Sequence, residues 1–193
     1  KHDGLTPLSE KIVKDHLGRE FFLFTVVTVV FNLGNSSNAF LFLRAESCGV
    51  KVVLLPITWM VYNGVSSVFA IPGGIVSDRL GRRNVLAIGI LIYALVYAGF
   101  AFSKNALTVW ILMAVYGVYF GITEGVGRAY VADLVKDKTK LATAYGIYHM
   151  AVGISLFFAS FLFGLIWQYL GAKIAFLTGA ALAFTAGIML FGL

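Results

Sequence analysis

Six runs of roughly twenty mostly apolar residues, parted by short links that hold most of the charge, constrain this chain more than any other feature. They are expected at about 21–43, 52–76, 85–102, 107–134, 141–170 and 174–193. In hydrocarbon every backbone polar group must be paired within the protein, so only helices and closed barrels cross a membrane. Runs of this length predict an all-α integral membrane bundle of six transmembrane helices. Composition agrees, with 60% of residues hydrophobic and 12% charged, where a soluble domain is about a quarter charged. The net charge of +6 would point to nucleic acid in a soluble protein. Here the basic residues flank apolar runs, so membrane topology accounts for them and no nucleic-acid partner is expected.

Lys1, Lys11, Lys14 and Arg19 fall on one side of the membrane, with Arg79, Arg82 and Arg83 of the second link and Lys136, Lys138 and Lys140 of the fourth. Arg44, Lys51, Lys104 and Lys173 fall on the other. The larger group is expected to be cytoplasmic, which puts both termini inside the cell and the protein in the cytoplasmic (inner) membrane. Residues 1–20 read as a cytoplasmic linker with a short amphipathic helix, Pro7 near its start and Gly18 at its stop. The chain opens on Lys1 with no signal peptide expected, and reads as a fragment of a longer protein. Cys48 is the single cysteine, which rules out an intrachain disulfide. No phosphate-cradling glycine loop, metal-ligand spacing or nucleophile elbow occurs, so no enzyme activity, metal or cofactor is expected.

The polar residues inside the runs are the candidate site. In the first, Thr25, Thr28, Asn32, Asn35 and Ser36 recur at steps of three and four and share one stripe. Amides facing lipid at mid-depth would cost several kcal/mol. The stripe therefore faces protein or water, either as helix-to-helix hydrogen bonding or as the wall of a transport cavity. Asn63 adds polarity to the second run. The fourth holds Tyr116, Tyr119, Glu124 and Arg128, with Gly117, Gly121 and Gly125 at steps that permit close helix packing. Glu124 and Arg128, four apart, lie roughly 15 Å and 9 Å from the end of their helix, and His149 enters the fifth run at similar depth. Three roles are open to Glu124: a structural ion pair with Arg128, a proton or cation site, or a substrate contact. The third and sixth runs carry neither charge nor amide within their apolar stretches and read as peripheral and lipid-facing. Spans one and four concentrate polarity alike, which fits two inverted three-helix repeats.

One charged stretch remains, expected as a solvated link between the second and third spans: Gly74-x-x-x-Asp78-Arg79-x-Gly81-Arg82-Arg83. Asp133, at the end of span four, could meet Arg79 or Arg82. The order of these residues resembles the signature link of major facilitator superfamily transporters. Further stretches are similar to the carboxy-terminal half of bacterial members: Leu33-Gly34-Asn35-Ser36-Ser37-Asn38-Ala39-Phe40 with Arg44, Thr123-Glu124-Gly125, Arg128-Ala129, Ala132-Asp133-Leu134 and Tyr148-His149. The chain departs from similar sequences at Gly127, often an acid, and at Val135-Lys136, where a proline often stands.

The resemblance implies helices seven to twelve of a twelve-helix secondary transporter. Helices one, two, four and five of this half would line a central cavity. The half would rock against a missing amino-terminal six-helix half, as a symporter or antiporter of a small solute. Gly74, Asp78, Arg79, Gly81, Arg82, Arg83 and Asp133 would form a gating latch. The lipid bilayer, the missing half, a small-molecule substrate and protons are the partners implied. The alternatives are a self-associating half transporter and a non-transporting membrane sensor or scaffold. Asn, Ser, Thr and Tyr in the cavity suit sugars, metabolites or drugs alike.

Overall fold

The computed structural model describes residues 17–193; the expected amphipathic helix in 1–20 lies almost wholly outside them. Among the described residues there are seven whole α-helices: α1 (Arg19–Leu33), α2 (Ala39–Ser47), α3 (Leu55–Leu80), α4 (Arg82–Phe102), α5 (Ala106–Leu134), α6 (Leu141–Leu170) and α7 (Ala172–Phe191). Five of them, α3 to α7, are long and apolar enough to cross a membrane.

The run 21–43, expected as one span, is two helices, of 15 and 9 residues, separated by residues 34–38. The break has a local cause. Asn32, Gly34, Asn35, Ser36, Ser37 and Asn38 lie within seven positions, and these residue types favour turns over helix interiors. Gly34 N–H bonds back to Phe31 at 3.0 Å and Asn35 N–H to Asn32 at 2.9 Å, closing α1 with tight turns. Ala39 N–H then bonds Ser37 Oγ at 3.4 Å, opening α2.

The stretch expected as a link at 74–83 is also different. Despite Pro72, Gly73 and Gly74, α3 runs on to Leu80, carrying Gly74, Asp78 and Arg79. Gly81 alone, at φ +86°, turns the chain, and α4 starts at Arg82. Pro56 sits in the first turn of α3, where its missing N–H is harmless, and α3 continues through Pro72.

α4 packs along α7 and α5, α3 lies on α5, and α1 sits against α7 and α6. The third span, read as peripheral and lipid-facing, is the most enclosed of the five long spans within this chain, yet Ile88, Leu95 and Phe102 stay exposed along one face. Buried residues make up 61% of its most apolar stretch, against 11% for α3 and 17% for α6. Tyr93, Tyr97 and Phe100 are wholly buried. Apolar side chains do not distinguish lipid tails from apolar protein, so one face of α4 packs on α5 and α7 while the other stays exposed.

Close backbone approach sets two contacts. A Cβ on Gly117 of α5 would stand 2.6 Å from the carbonyl of Tyr62 on α3. A Cβ on Gly34 would stand 2.7 Å from the carbonyl of Gly179, so α7 presses directly on the helix break. Gly125, by contrast, faces open space. Arg44 ties α2 to the end of α4 by donating to the carbonyls of Phe100 (2.9 Å), Ala101 (3.4 Å) and Ser103 (2.8 Å), a cation on a helix C-terminus.

Candidate functional site: a cavity beside a broken helix

A cavity of about 610 Å³ opens beside the break, within the usual range for small-molecule sites, roughly 300–1,000 Å³. α1, residues 35–38, α5 and α6 supply most of its wall, α4 adds Leu86 and Ile90, and α3 adds Tyr62. Asn32, Asn35, Ser36, Tyr116, Tyr119, Glu124, Arg128 and His149 all line it. Asn63 does not; its amide donates to Trp59 of its own helix at 2.8 Å. Tyr62 lines the cavity instead, since one residue along a helix turns the side chain by about 100°.

The break is held from behind by tyrosines of α4 and, within the cavity wall, by one of α5. Tyr93 Oη donates toward the Gly34 carbonyl (3.1 Å) and Asn35 Oδ1 (3.2 Å). Tyr97 Oη and Ser36 Oγ share a bond of 3.2 Å, and Tyr116 Oη donates to Asn38 Oδ1 at 3.3 Å. The rings reinforce one another: Tyr93 and Tyr97 stack with centroids 4.2 Å apart, and Tyr62 and Tyr116 at 5.1 Å. Among the described residues no buried side-chain polar atom lacks a partner, as a membrane interior demands. Asn38 and the supporting pair Tyr93 and Tyr97 were not singled out as site residues from the sequence. Asn38 could have been, as the last of the clustered amides, whereas the tyrosines sit about sixty positions from the loop they hold.

In the polar stripe of α1, the two threonine hydroxyls bond back to their own helix, Thr25 to Phe21 (2.8 Å) and Thr28 to Phe24 (2.9 Å). Across the cavity Arg128 Nη2 stands 3.5 Å from Glu124 Oε1, and both side chains are about half exposed. Tyr145 Oη donates to the Arg128 carbonyl at 2.8 Å, joining α6 to α5. His149 stacks on Tyr145 and meets Tyr148 edge-on.

A charge cluster closes one end of the bundle, where α3 and α5 finish and α4 begins. Arg82 reaches both acids, Asp133 Oδ2 at 2.9 Å and Asp78 Oδ1 at 3.7 Å. A cation in the first turn of a helix opposes the helix dipole, and the two carboxylates offset that. Arg83 Nη2 donates to the Phe191 carbonyl at 3.4 Å, bringing the end of α7 to the same place. Among the described residues Arg79 has no ion-pair partner.

Residues 9–193 match the family described as Major Facilitator Superfamily. The chain belongs to the Major Facilitator Superfamily. It is therefore a multi-pass membrane protein of a transporter family, not an enzyme family. MJ1317 of Methanocaldococcus jannaschii, an uncharacterized MFS-type transporter, is 34% identical over 181 residues, covering 91% of this chain and 45% of that protein. YqjV of Bacillus subtilis, another uncharacterized MFS-type transporter, is 30% identical over 118 residues, covering 61% of this chain and 28% of its own length. BU466 of Buchnera aphidicola, an uncharacterized transporter, is 26% identical over 121 residues. The chain spans less than half the length of these superfamily relatives.

Proposed function

We propose that this chain is the carboxy-terminal half of a secondary transporter that carries a small solute through the cavity by alternating access. The observation that carries the reading is the cavity itself. It joins mid-depth amides to an acid, a base and a histidine within a family of transporters. In this reading α1 and α2 cross together as one interrupted span. At 1.5 Å per residue they measure about 22 Å and 13 Å, so neither alone covers a hydrocarbon core of about 30 Å. Six crossings then form two inverted three-helix repeats, with both termini cytoplasmic.

The apolar faces of α3 and α6, such as Met60, Val68, Ile71, Phe157 and Phe161, are suited to the opposite half and to lipid. The halves rock, and Arg82 with Asp78 and Asp133 braces the cytoplasmic end when it is closed. Gly74, Arg79, Gly81 and Arg83 complete that latch, Gly81 as its turn. Glu124 serves as the proton site, released from Arg128 in one state. The test is uptake by proteoliposomes holding the full-length protein, with and without an imposed pH gradient. Glu124→Gln should abolish the stimulation by the gradient. Full stimulation in that variant would remove the proton role.

A further inference from the structure

Two amides at the break have their oxygens taken by tyrosine hydroxyls, and this limits what they offer a solute. Asn35 Oδ1 accepts at 3.2 Å from Tyr93, which lies outside the cavity, and Asn38 Oδ1 accepts at 3.3 Å from Tyr116, which is part of its wall. A carboxamide whose oxygen is already bonded has its NH2 edge left to offer. Asn32 goes further. It is 6% exposed and lines the cavity, and among the described residues its side chain has no hydrogen-bond partner. The residue is enclosed but its amide atoms reach the cavity, so a polar ligand atom is their natural complement there. The lining acid and base oppose each other, Glu124 against Arg128 at 3.5 Å. While that pair is made the two charges offset each other, and Phe31, Tyr62 and Tyr119 line the same wall.

We propose that this wall binds an uncharged, hydroxyl-bearing solute. Asn32, Asn35 and Asn38 donate to its oxygens, and Tyr93 and Tyr116 act as positioning residues that set the amide edges. The proposal rests on the transport reading of the cavity. A charged group would have to displace Glu124 or Arg128 from their pair to gain a counter-charge, and a wholly apolar solute would leave Asn32 unpaired.

The test uses the purified full-length transporter and three probes of one size: glucose, glucuronate and glucosamine. Binding is read as thermal stabilisation. Glucose should bind at least tenfold more tightly than either charged probe. Asn32→Asp puts an anion on the wall and should move the preference toward glucosamine by tenfold or more. Tyr116→Phe keeps the ring and frees the Asn38 amide to turn. It should weaken glucose about tenfold, the equivalent of one lost hydrogen bond, and narrow the gap to glucosamine. A general loss of stability would not move that ratio. Equal binding of a charged probe, binding of none of the three, or unchanged selectivity in Asn32→Asp would each overturn the proposal. Glucose that binds but is not taken up by proteoliposomes would sink the transport reading and leave this one standing. Uptake of glucuronate in its place would do the reverse.

Discussion

Neutralising Asp133 should loosen the Arg82 end of the bundle more than neutralising Asp78, although Asp78 is the acid within the signature stretch. The two carboxylates compete for one guanidinium at different distances, 2.9 Å and 3.7 Å. In water the Coulomb energies differ little, about 1.4 and about 1.1 kcal/mol at these separations. The hydrogen bond separates them. At 2.9 Å it is made, at 3.7 Å it is not, and Asp78 is the more exposed, 68% against 54%. Measured exposed pairs fall at about 0.2–1 kcal/mol. The upper end therefore belongs to Arg82–Asp133 and a few tenths to Arg82–Asp78.

A loss of about 1 kcal/mol shifts an opening equilibrium about fivefold, and a few tenths less than twofold. Val85, in the first turn of α4 and 3% exposed, offers a reporter at that end. With Cys48 and any other native cysteine of the full-length transporter changed to serine, Val85→Cys can be labelled by a maleimide. Asp133→Asn should raise the labelling rate about fivefold and Asp78→Asn less than twofold. In an Arg82→Gln background Asp133→Asn should add nothing. Equal effects of the two acids, or a full Asp133 effect without Arg82, would refute the reasoning.

Three further perturbations probe the helix break and its supports. Gly34→Ala should destabilise the protein by about 1–3 kcal/mol, the range for overpacking, because the new Cβ meets the Gly179 carbonyl and Leu182; thermal unfolding of the variant in detergent reads it. Ser36→Ala and Tyr97→Phe should show a coupling of about 0.6 kcal/mol in a double-mutant cycle, the mean for intramembrane hydrogen bonds, since both groups are buried and bond each other. Arg44→Lys keeps the charge but loses the fork that reaches three carbonyls; exchange of the amides near residues 100–103 should quicken about fivefold, for about 1 kcal/mol of lost capping, by mass-resolved hydrogen exchange.

Membership of a membrane helical class was legible in local patterns, because a span needs only length and apolarity. Hydropathy did not resolve the break at 34–38. The mean apolarity of the run carried the span across it, although the low helix propensity of Asn32, Gly34, Asn35 and Ser36 marked it. Among candidate site residues, Asn32, Glu124 and Arg128 stood out as polar groups in apolar runs, and they share one cavity. Asn63 stood out in the same way yet bonds its own helix. A polar side chain can be satisfied locally or across the bundle, and composition does not say which.

By itself, then, the sequence determined helix type, approximate helix ends, and the charges that gather at Gly81 and Asp133. Each of these follows from residues near one another in the chain. Tertiary structure decided which apolar helix is enclosed and which amide edges face the cavity. It also decided which acid Arg82 grips closely. α4 buries one face because α5 and α7 pack on it, and a lipid tail and a leucine are alike to its side chains. The break at 34–38 holds its shape because Tyr93, Tyr97 and Tyr116, far along the chain, supply the partners that water would supply outside a membrane.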